Sequence, residues 1–146
     1  MEQRHVTRLR VRLSETDTLG IVYYGQYFVY FDVARLELLR ELGITSDYLQ
    51  RLGLHFVAAE ASCRYFGSAR FDELLQVKTW ISKLGNSSIR YEHIIEREND
   101  GQKLVHGFVV DVLVDADGRP VSLPAEMREK LSKYLIPQRE EAGATA

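Results

Sequence analysis

The sequence predicts an α+β fold in which one long, largely buried helix is wrapped by a curved antiparallel sheet. Three observations carry that prediction. The run from Tyr27 to Leu42 has helical spacing and is apolar around most of its first half. Segments after Phe56 alternate apolar and polar residues with the period of two that marks strands. Turn chemistry joins those segments at short intervals, so neighbouring strands pair antiparallel.

The first element is a strand over Thr7–Leu13, where Arg8, Arg10 and Arg12 alternate with Leu9, Val11 and Leu13. The arginine row reads as a solvated face, since a formal net charge of −2 does not fit a phosphate-tracking surface. In the long helix, Tyr27, Phe31, Ala34, Leu38 and Leu42 share one face, and Asp32, Arg35, Glu37, Arg40 and Glu41 form a polar strip. Gly43 ends it. Phe28, Val29, Tyr30 and Val33 make its first half apolar nearly all round, which calls for burial. A short second helix fits Ser46 to Arg51, between two glycines. Phe56 to Phe66 reads as a strand of less regular pattern. Leu75, Val77, Thr79 and Ile81 form one face of the next, and Ile89, Tyr91, His93 and Ile95 one face of the third. Leu104, His106, Phe108, Val110, Val112 and Val114 form one face of a fourth, so that His93 and His106 both point inward as core residues.

Turns are expected at Leu84-Gly-Asn-Ser87, Asn99-Asp-Gly101 and Asp115-Ala-Asp-Gly118. Pro124 opens a last helix with Met127, Leu131 and Leu135 on one side. Residues 1–136 make a single domain, and the tail 137–146 is expected to be mobile. A sheet curled around a helix has open edges, which a second subunit commonly covers, so a homo-oligomer is expected.

A chain of 146 residues suits one domain, and 45% apolar with 27% charged residues is ordinary for a soluble protein. The charge balance excludes nucleic acid as a partner. The single cysteine, Cys63, allows no internal disulfide and fits a reducing compartment. The opening "MEQRHVTRLRVRL" has no apolar core of a signal peptide, and no run approaches membrane-spanning length, so a cytoplasmic protein with no membrane partner is expected. Several chemistries are missing from the pattern. There is no G-x-S-x-G elbow and no phosphate-cradling glycine loop. The four histidines, His5, His55, His93 and His106, lack metal-ligand spacing, and the Asp115 to Gly118 run has no glutamate at the offset of a calcium loop. Cys63 lies in a strand-like run, where a buried, inert thiol is expected. No metal and no organic cofactor are expected.

What remains is "ETDTLGIVYYGQY", Glu15 to Tyr27, where Asp17 stands ahead of a glycine and an apolar run that becomes the helix. Asp in that position is ordinarily a cap or turn residue. The alternative has chemical sense. Unpaired N–H groups at a helix start form an anion site, and a carboxylate with an ordinary pKa of about 4 is already ionised at neutral pH. A thioester would suit such a site, because a leaving thiol of pKa about 8.5 needs little general-acid help.

The run "SETDTLGIVYYGQYFVYFDVARLELLRELGI", with "EASCRYFGSARFDELLQVKTWISKLGNSSIRYEH" after it, resembles the hotdog-fold acyl-CoA thioesterases of the 4-hydroxybenzoyl-CoA thioesterase type. The likeness extends from about Arg8 to Leu135, and its most specific part is T-D-x-x-G-I-V-Y-Y with the Ala-Arg pair inside the helix. The resemblance implies a hotdog fold: a helix wrapped by an antiparallel sheet, in dimers or tetramers with the site at a subunit interface. It implies that Asp17 is the catalytic nucleophile or general base and that the Tyr24 N–H is the oxyanion donor. Gly20 and Val22 would shape the loop, and Tyr23 and Tyr27 would line the acyl pocket unless they serve the core.

The sequence departs from the family at two places. Gly25-Gln26 replaces a Pro-Asn pair, and the hairpin at Gly85-Asn86-Ser87 lacks the basic cluster that some relatives use for the nucleotide phosphates of CoA. Arg64, Arg70, Lys83 and Arg90, with the hydroxyls of Ser87 and Ser88, remain as substrate-binding candidates. Glu60 is a second carboxylate on a strand, either an aid to water in the second step or a salt-bridged surface residue. The expected function is hydrolysis of acyl-CoA to a free acid and CoA. The alternatives are hydrolysis of an acyl-carrier-protein thioester, an acyl-thioester hydratase or dehydratase, and a binding or scaffold protein without catalysis.

Overall fold

The computed structural model describes residues 3–138. Strand β1 (His5–Arg10) leads through a 3-10 turn (Leu13–Glu15) to helix α1 (Gln26–Glu41) and the short helix α2 (Ser46–Leu52). Strands β2 (His55–Tyr65), β3 (Leu74–Leu84), β4 (Ser88–Arg97) and β5 (Lys103–Val114) follow, and α3 (Ala125–Leu131) closes the order with a 3-10 turn over Ser132–Tyr134. The strands form one sheet in the order β1-β3-β4-β5-β2, and each neighbouring pair is antiparallel. The helix α1 lies on one side of this sheet, which is the hotdog arrangement.

The burial of α1 follows its spacing: Tyr27, Tyr30, Phe31, Ala34, Leu38 and Leu39 are buried. Its end is a Schellman turn, with Gly43 at φ +77°, its N–H on the Arg40 carbonyl and the Ile44 N–H on the Leu39 carbonyl. The side of α1 away from the sheet is bare, however: Val29, Val33 and Leu36 are 45%, 39% and 50% exposed. The expected burial all round therefore stops at one face, because the sheet covers one side of the helix only. Thr45 caps α2, and Gly53 ends it in the left-handed region.

The inward faces of β3 and β4 are as expected, with Leu75, Val77, Thr79, Ile81, Ile89, Tyr91, His93 and Ile95 fully buried. The face assigned to β5 is reversed. Val105, Gly107, Val109, Asp111 and Leu113 point inward, because they stand opposite Ile95, His93, Tyr91 and Ile89 or continue that row. His106, Phe108, Val110 and Val112 are on the outer face, so His106 is not a core histidine; it meets Glu92 and Trp80 there. Both faces of β5 are apolar, so its period of two is visible in the sequence but its orientation is not. The irregular pattern of β2 comes from a bulge between Ala58 and Glu60. The first strand is shorter than predicted, since the Glu15 side chain folds back onto the Arg12 N–H and starts the 3-10 turn. Pro124 precedes the last helix as its N-cap instead of opening it, and Leu135 lies beyond that helix, bridged to Ile81. The expected mobile tail lies outside the described residues from position 139 onward.

Two apolar clusters fill the space between α1 and the sheet. One surrounds Tyr27, Phe31 and Leu75, the other Leu38, Ile81 and Met127. A polar layer separates them. His93 takes Thr79 on its Nδ1 at 2.9 Å and stacks on Phe31, and Arg35 reaches inward to the buried Asp111 at 3.1 Å. Arg35 is thus no part of a solvated strip. Burial pushes the His93 pKa down to about 3, so the ring is neutral at physiological pH. Gly107 lets α1 come close: a Cβ there would stand 2.5 Å from the Phe31 ring and 2.5 Å from the Ser62 carbonyl oxygen.

The variant Gly107→Ala should lose about 1–3 kcal/mol of stability through this overpacking. The urea midpoint should fall while the slope of the transition stays the same, and an unchanged midpoint would contradict the close approach.

Candidate active site

The stretch after β1 builds a small hairpin. Thr16 bridges to Val22, the Asp17 N–H reaches the Ile21 carbonyl at 2.8 Å, and the Gly20 N–H reaches the Asp17 carbonyl at 3.0 Å. Gly20 has φ +76°, a conformation that favours glycine in so tight a reversal. The Leu19 N–H donates to Asp17 Oδ1 at 2.8 Å, an Asx turn. Asp17 is exposed, and among the described residues its Oδ2 has no partner. The hairpin is pinned at its far side by Val22 N–H to the Ala69 carbonyl, 2.9 Å, and by the bridge from Ile21 to Arg70.

The chain then enters α1 through Tyr23, Tyr24 and Gly25. The Tyr23 N–H donates to the Glu15 carbonyl at 3.0 Å, and the Gln26 N–H to the Tyr23 carbonyl at 2.8 Å. The Tyr65 hydroxyl donates to the Tyr24 carbonyl at 2.8 Å. Among the described residues the Tyr24 N–H has no acceptor. It is therefore open to an incoming oxygen at the positive end of the α1 dipole.

The anchor of this arrangement is a residue that sequence reasoning did not single out. Glu15 is 5% exposed and gathers four groups. Its Oε1 accepts the Arg12 N–H at 2.8 Å and the Tyr30 hydroxyl at 3.0 Å; its Oε2 accepts Arg12 Nη2 at 2.8 Å and Gln26 Nε2 at 3.4 Å. Burial pushes the Glu15 carboxyl up, but the hydrogen bonds from the Arg12 backbone, the Arg12 side chain and Tyr30 outweigh it and hold the pKa below the ordinary range. Burial, and then the Glu15 carboxylate, push the Tyr30 hydroxyl up, so it stays a donor. The only sequence sign of this cluster is the Arg12 to Glu15 spacing of three.

The expected site residues divide into three groups. Asp17, Gly20, Val22, Tyr23 and Tyr24 share the hairpin and the entrance of α1, with Arg70 beside them on the bridge to Ile21. Tyr27 belongs to the core: it is buried, and its hydroxyl accepts the Ala69 N–H at 3.0 Å, so it does not line a pocket in this chain. Glu60 and Arg64 stand opposite Val110 and His106 on the outer face, away from α1. Lys83, Ser87, Ser88 and Arg90 surround the β3–β4 turn, beside the apolar cluster at the C-terminal half of α1. Arg90 is already engaged, with Nε 2.7 Å from Glu92 Oε2 and its guanidinium over Phe108. Cys63 is half-buried on the inner face of β2, and burial pushes its thiol up, which fits an inert side chain. Among the described residues one chain thus assembles a carboxylate and an open N–H, with Arg70 beside them, while Arg64, Lys83 and Arg90 lie elsewhere.

Residues 11–131 match the family described as the thioesterase-like superfamily. Over 122 residues the chain is 32% identical to the acyl-CoA thioesterase YbgC of Haemophilus influenzae, covering 82% of this chain and 88% of that relative. Over 135 residues it is 27% identical to a chloroplastic acyl-acyl carrier protein thioesterase of Arabidopsis thaliana, covering 92% of this chain and 71% of that one. The crystal structure of a DHNA-CoA thioesterase from Staphylococcus aureus is similar at a TM-score of 0.83 and 27% identity, over 89% of each chain.

Replacing Glu15 by Gln should cost about 1–3 kcal/mol near neutral pH, because buried donors lose a charged acceptor. A carboxylate whose folded pKa is depressed stabilises the fold above its unfolded pKa, about 4.3 for Glu, and stops doing so as pH falls through the folded value. Urea titrations from pH 7 to pH 3 should show the gap between wild type and Glu15→Gln narrowing on the acid side of about pH 4. A gap independent of pH would show that the loss is packing, not charge.

Proposed function

The chain belongs to the thioesterase-like superfamily, and on that premise we propose that it hydrolyses acyl-CoA to a free acid and CoA, with Asp17 as the reacting carboxylate. It is a thioester hydrolase. Within the superfamily the T-D-x-x-G-I-V-Y-Y run supports a site of the 4-hydroxybenzoyl-CoA thioesterase type. The observation that carries the reading is the pairing of an exposed Asp17, one oxygen spent on its own turn, with an open Tyr24 N–H on the same Glu15-anchored segment.

In the direct route an Asp17 oxygen attacks the thioester carbonyl carbon. The carbonyl oxygen gains the negative charge and accepts the Tyr24 N–H, and the α1 dipole adds to that stabilisation. The C–S bond then breaks, the thiolate leaves and takes its proton from solvent, and the acyl group stays on Asp17 as a mixed anhydride. Water cleaves the anhydride to give the free acid and restores the carboxylate. In the other route Asp17 takes a proton from a water that attacks the same carbon. Neither route calls for a metal or an organic cofactor.

The oligomer proposed with this function is built on β2. Among the described residues this strand is an edge, hydrogen-bonded to β5 alone, and its inward-facing Ala58 and Ala61 are exposed because α1 does not reach them. A second copy pairing there would continue the sheet and cover that floor. The bare stripe of Val29, Val33 and Leu36 supports a further contact that makes a tetramer. Among the described residues no helix is long and apolar enough to cross a membrane, which supports the reading of a cytoplasmic protein without a membrane partner. Carrier-protein thioesters are the second reading, favoured by the dispersal of the basic residues.

Thiol release from short, long and aromatic acyl-CoAs, and from an acyl-carrier-protein thioester, should be measured for wild type and Asp17→Asn. Asparagine keeps the Asx turn, so the melting temperature should hold. The turnover should fall by about 100-fold or more, the usual worth of a reacting acid–base group. Undiminished turnover in Asp17→Asn would make Asp17 a cap residue only, and release from the carrier-protein ester alone would replace CoA by that carrier.

A further inference from the structure

We infer that the oxyanion site has a second donor, the Gly25 N–H, and that Tyr65 is the positioning residue that aims it. The inference rests on the thioesterase reading above and deepens it.

Two peptide units lead into α1. In the first, the Tyr23 carbonyl accepts the Gln26 N–H at 2.8 Å, so the Tyr24 N–H of the same planar trans unit points the opposite way. In the second, the Tyr24 carbonyl accepts the Tyr65 hydroxyl at 2.8 Å, so the Gly25 N–H points away from Tyr65. Among the described residues the Gly25 N–H, like the Tyr24 N–H, has no acceptor. The turn closed by the Gln26 N–H has Gly25 at φ −73° and ψ −20°, the right-handed helical region, and it extends α1 by one turn. The N–H groups of such a turn lie along the helix axis and point together beyond its N-terminal end. One oxygen held there can accept both.

The two units differ in how they are held. The first is closed by backbone bonds, and the Tyr23 N–H adds its own to the Glu15 carbonyl at 3.0 Å. The carbonyl of the second has only Tyr65 as a partner among the described residues. Gly25 supplies no stiffness of its own, since a residue without Cβ moves over a wide range of φ and ψ. It is bare because the Tyr23 ring lies against it: a Cβ at Gly25 would stand 2.8 Å from Tyr23 Cε1. The restraint therefore comes from Tyr65.

Tyr65 is well placed to give it. It ends β2 opposite Val105 of β5, and its ring meets the buried Tyr27 ring edge-on, with centroids 5.7 Å apart. Burial, with Cys63 beside it, pushes the Tyr65 hydroxyl up to about 12, so the group stays a donor at any working pH. Gly25 is also one of the positions where the sequence departs from the family it resembles. A proline there would offer no N–H, so the second donor goes with that departure.

The experiment uses full-length chains and an acyl-CoA that wild type hydrolyses. Thiol release is measured for Tyr65→Phe and for two proteins with a single backbone ester. In one, Gly25 is replaced by glycolic acid; in the other, Tyr24 by its α-hydroxy acid. Each ester puts an oxygen in place of one N–H and keeps the side chain. Tyr65 is 45% exposed, so the fold should tolerate the loss of its hydroxyl, and the urea midpoint checks this. Loss of the Gly25 N–H should lower kcat about 100-fold, the worth of one oxyanion donor, and Tyr65→Phe should lower it about tenfold with KM unchanged. Adding Tyr65→Phe to the glycolic acid protein should cost nothing more, whereas on the Tyr24 ester it should keep its full effect. Undiminished kcat in the glycolic acid protein overturns the second donor. A Tyr65→Phe loss that adds in full to the Gly25 ester, that vanishes on the Tyr24 ester, or that is confined to KM overturns the positioning role. Wild type inactive on every thioester would instead remove the thioesterase reading itself.

Discussion

One helix has to cover the concave side of five strands, and it is too narrow to do so. Strands about 4.8 Å apart make a five-stranded sheet about 24 Å wide, whereas a helix with its side chains is about 10–12 Å across. The helix α1 settles toward β3 and β1, and the β2 side of the sheet is left over. The Asp17 hairpin stands at the entrance of α1 beside that boundary, and the alanines of β2 lie open along it. A protein that packed its sheet fully under one helix would have a better core and no place for a substrate.

A helix laid on a surface wider than itself also needs something to stop it sliding or turning. Apolar packing alone is permissive, since neighbouring rows of Leu and Val accept more than one register. Here polar contacts remove that freedom. Tyr30 is tied to Glu15 near one end, and Arg35 to Asp111 at mid-length, with Phe31 stacked on His93 between them. A buried ion pair adds little net stability, but a wrong register would strand its charges without partners. The layer is also incompletely satisfied: Tyr91 Oη, His93 Nε2 and Asp111 Oδ1 are buried without hydrogen bonds. The fold bears that cost at the level where α1 must be held, and the position of the Tyr24 N–H follows from it.

The sequence discloses those parts of this design that repeat along the chain. The spacing of Tyr27, Phe31, Ala34 and Leu38 places the helix, and the alternation in β3 and β4 names their buried faces correctly, because one face of each is plainly more polar. In β5 both faces are apolar, so alternation survives without direction, and only the pairing with β4 reveals that Asp111 is inward and His106 outward. Asp111 left a trace as the one charge inside "FVVDVLV", yet a charge in an apolar run does not name its partner. Glu15 left less, since its five hydrogen bonds come from Arg12, Gln26 and Tyr30, which only the fold brings together. The Asp17 stretch could be singled out because its residues are contiguous, but it was read as a turn before the helix and its hairpin pairing was not foreseen. The division of the basic candidates between two ends of the molecule was not, because sequence distance carries no information on which side of a sheet a residue falls.

The surroundings of Asp17 explain why this hairpin is apolar at all. A carboxylate in open water is fully hydrated, and its attack on a carbonyl must first shed that water; in an enclosed site the same charge acts against fixed dipoles. Among the described residues nothing encloses it, and the large side chains nearest in sequence, Leu19, Tyr23 and Tyr24, are 75%, 51% and 65% exposed. Three such side chains held in water around a charged group are a poor arrangement for an isolated subunit, which would keep them only against the hydrophobic effect. Under the proposed pairing, the edge that continues the sheet would also bring the partner subunit toward this hairpin. The apolar side chains are then buried by the same event that dries the carboxylate. Under the proposal, association is a step in building the reactive site, and the exposed aromatic pair beside Asp17 is the surface it would cover.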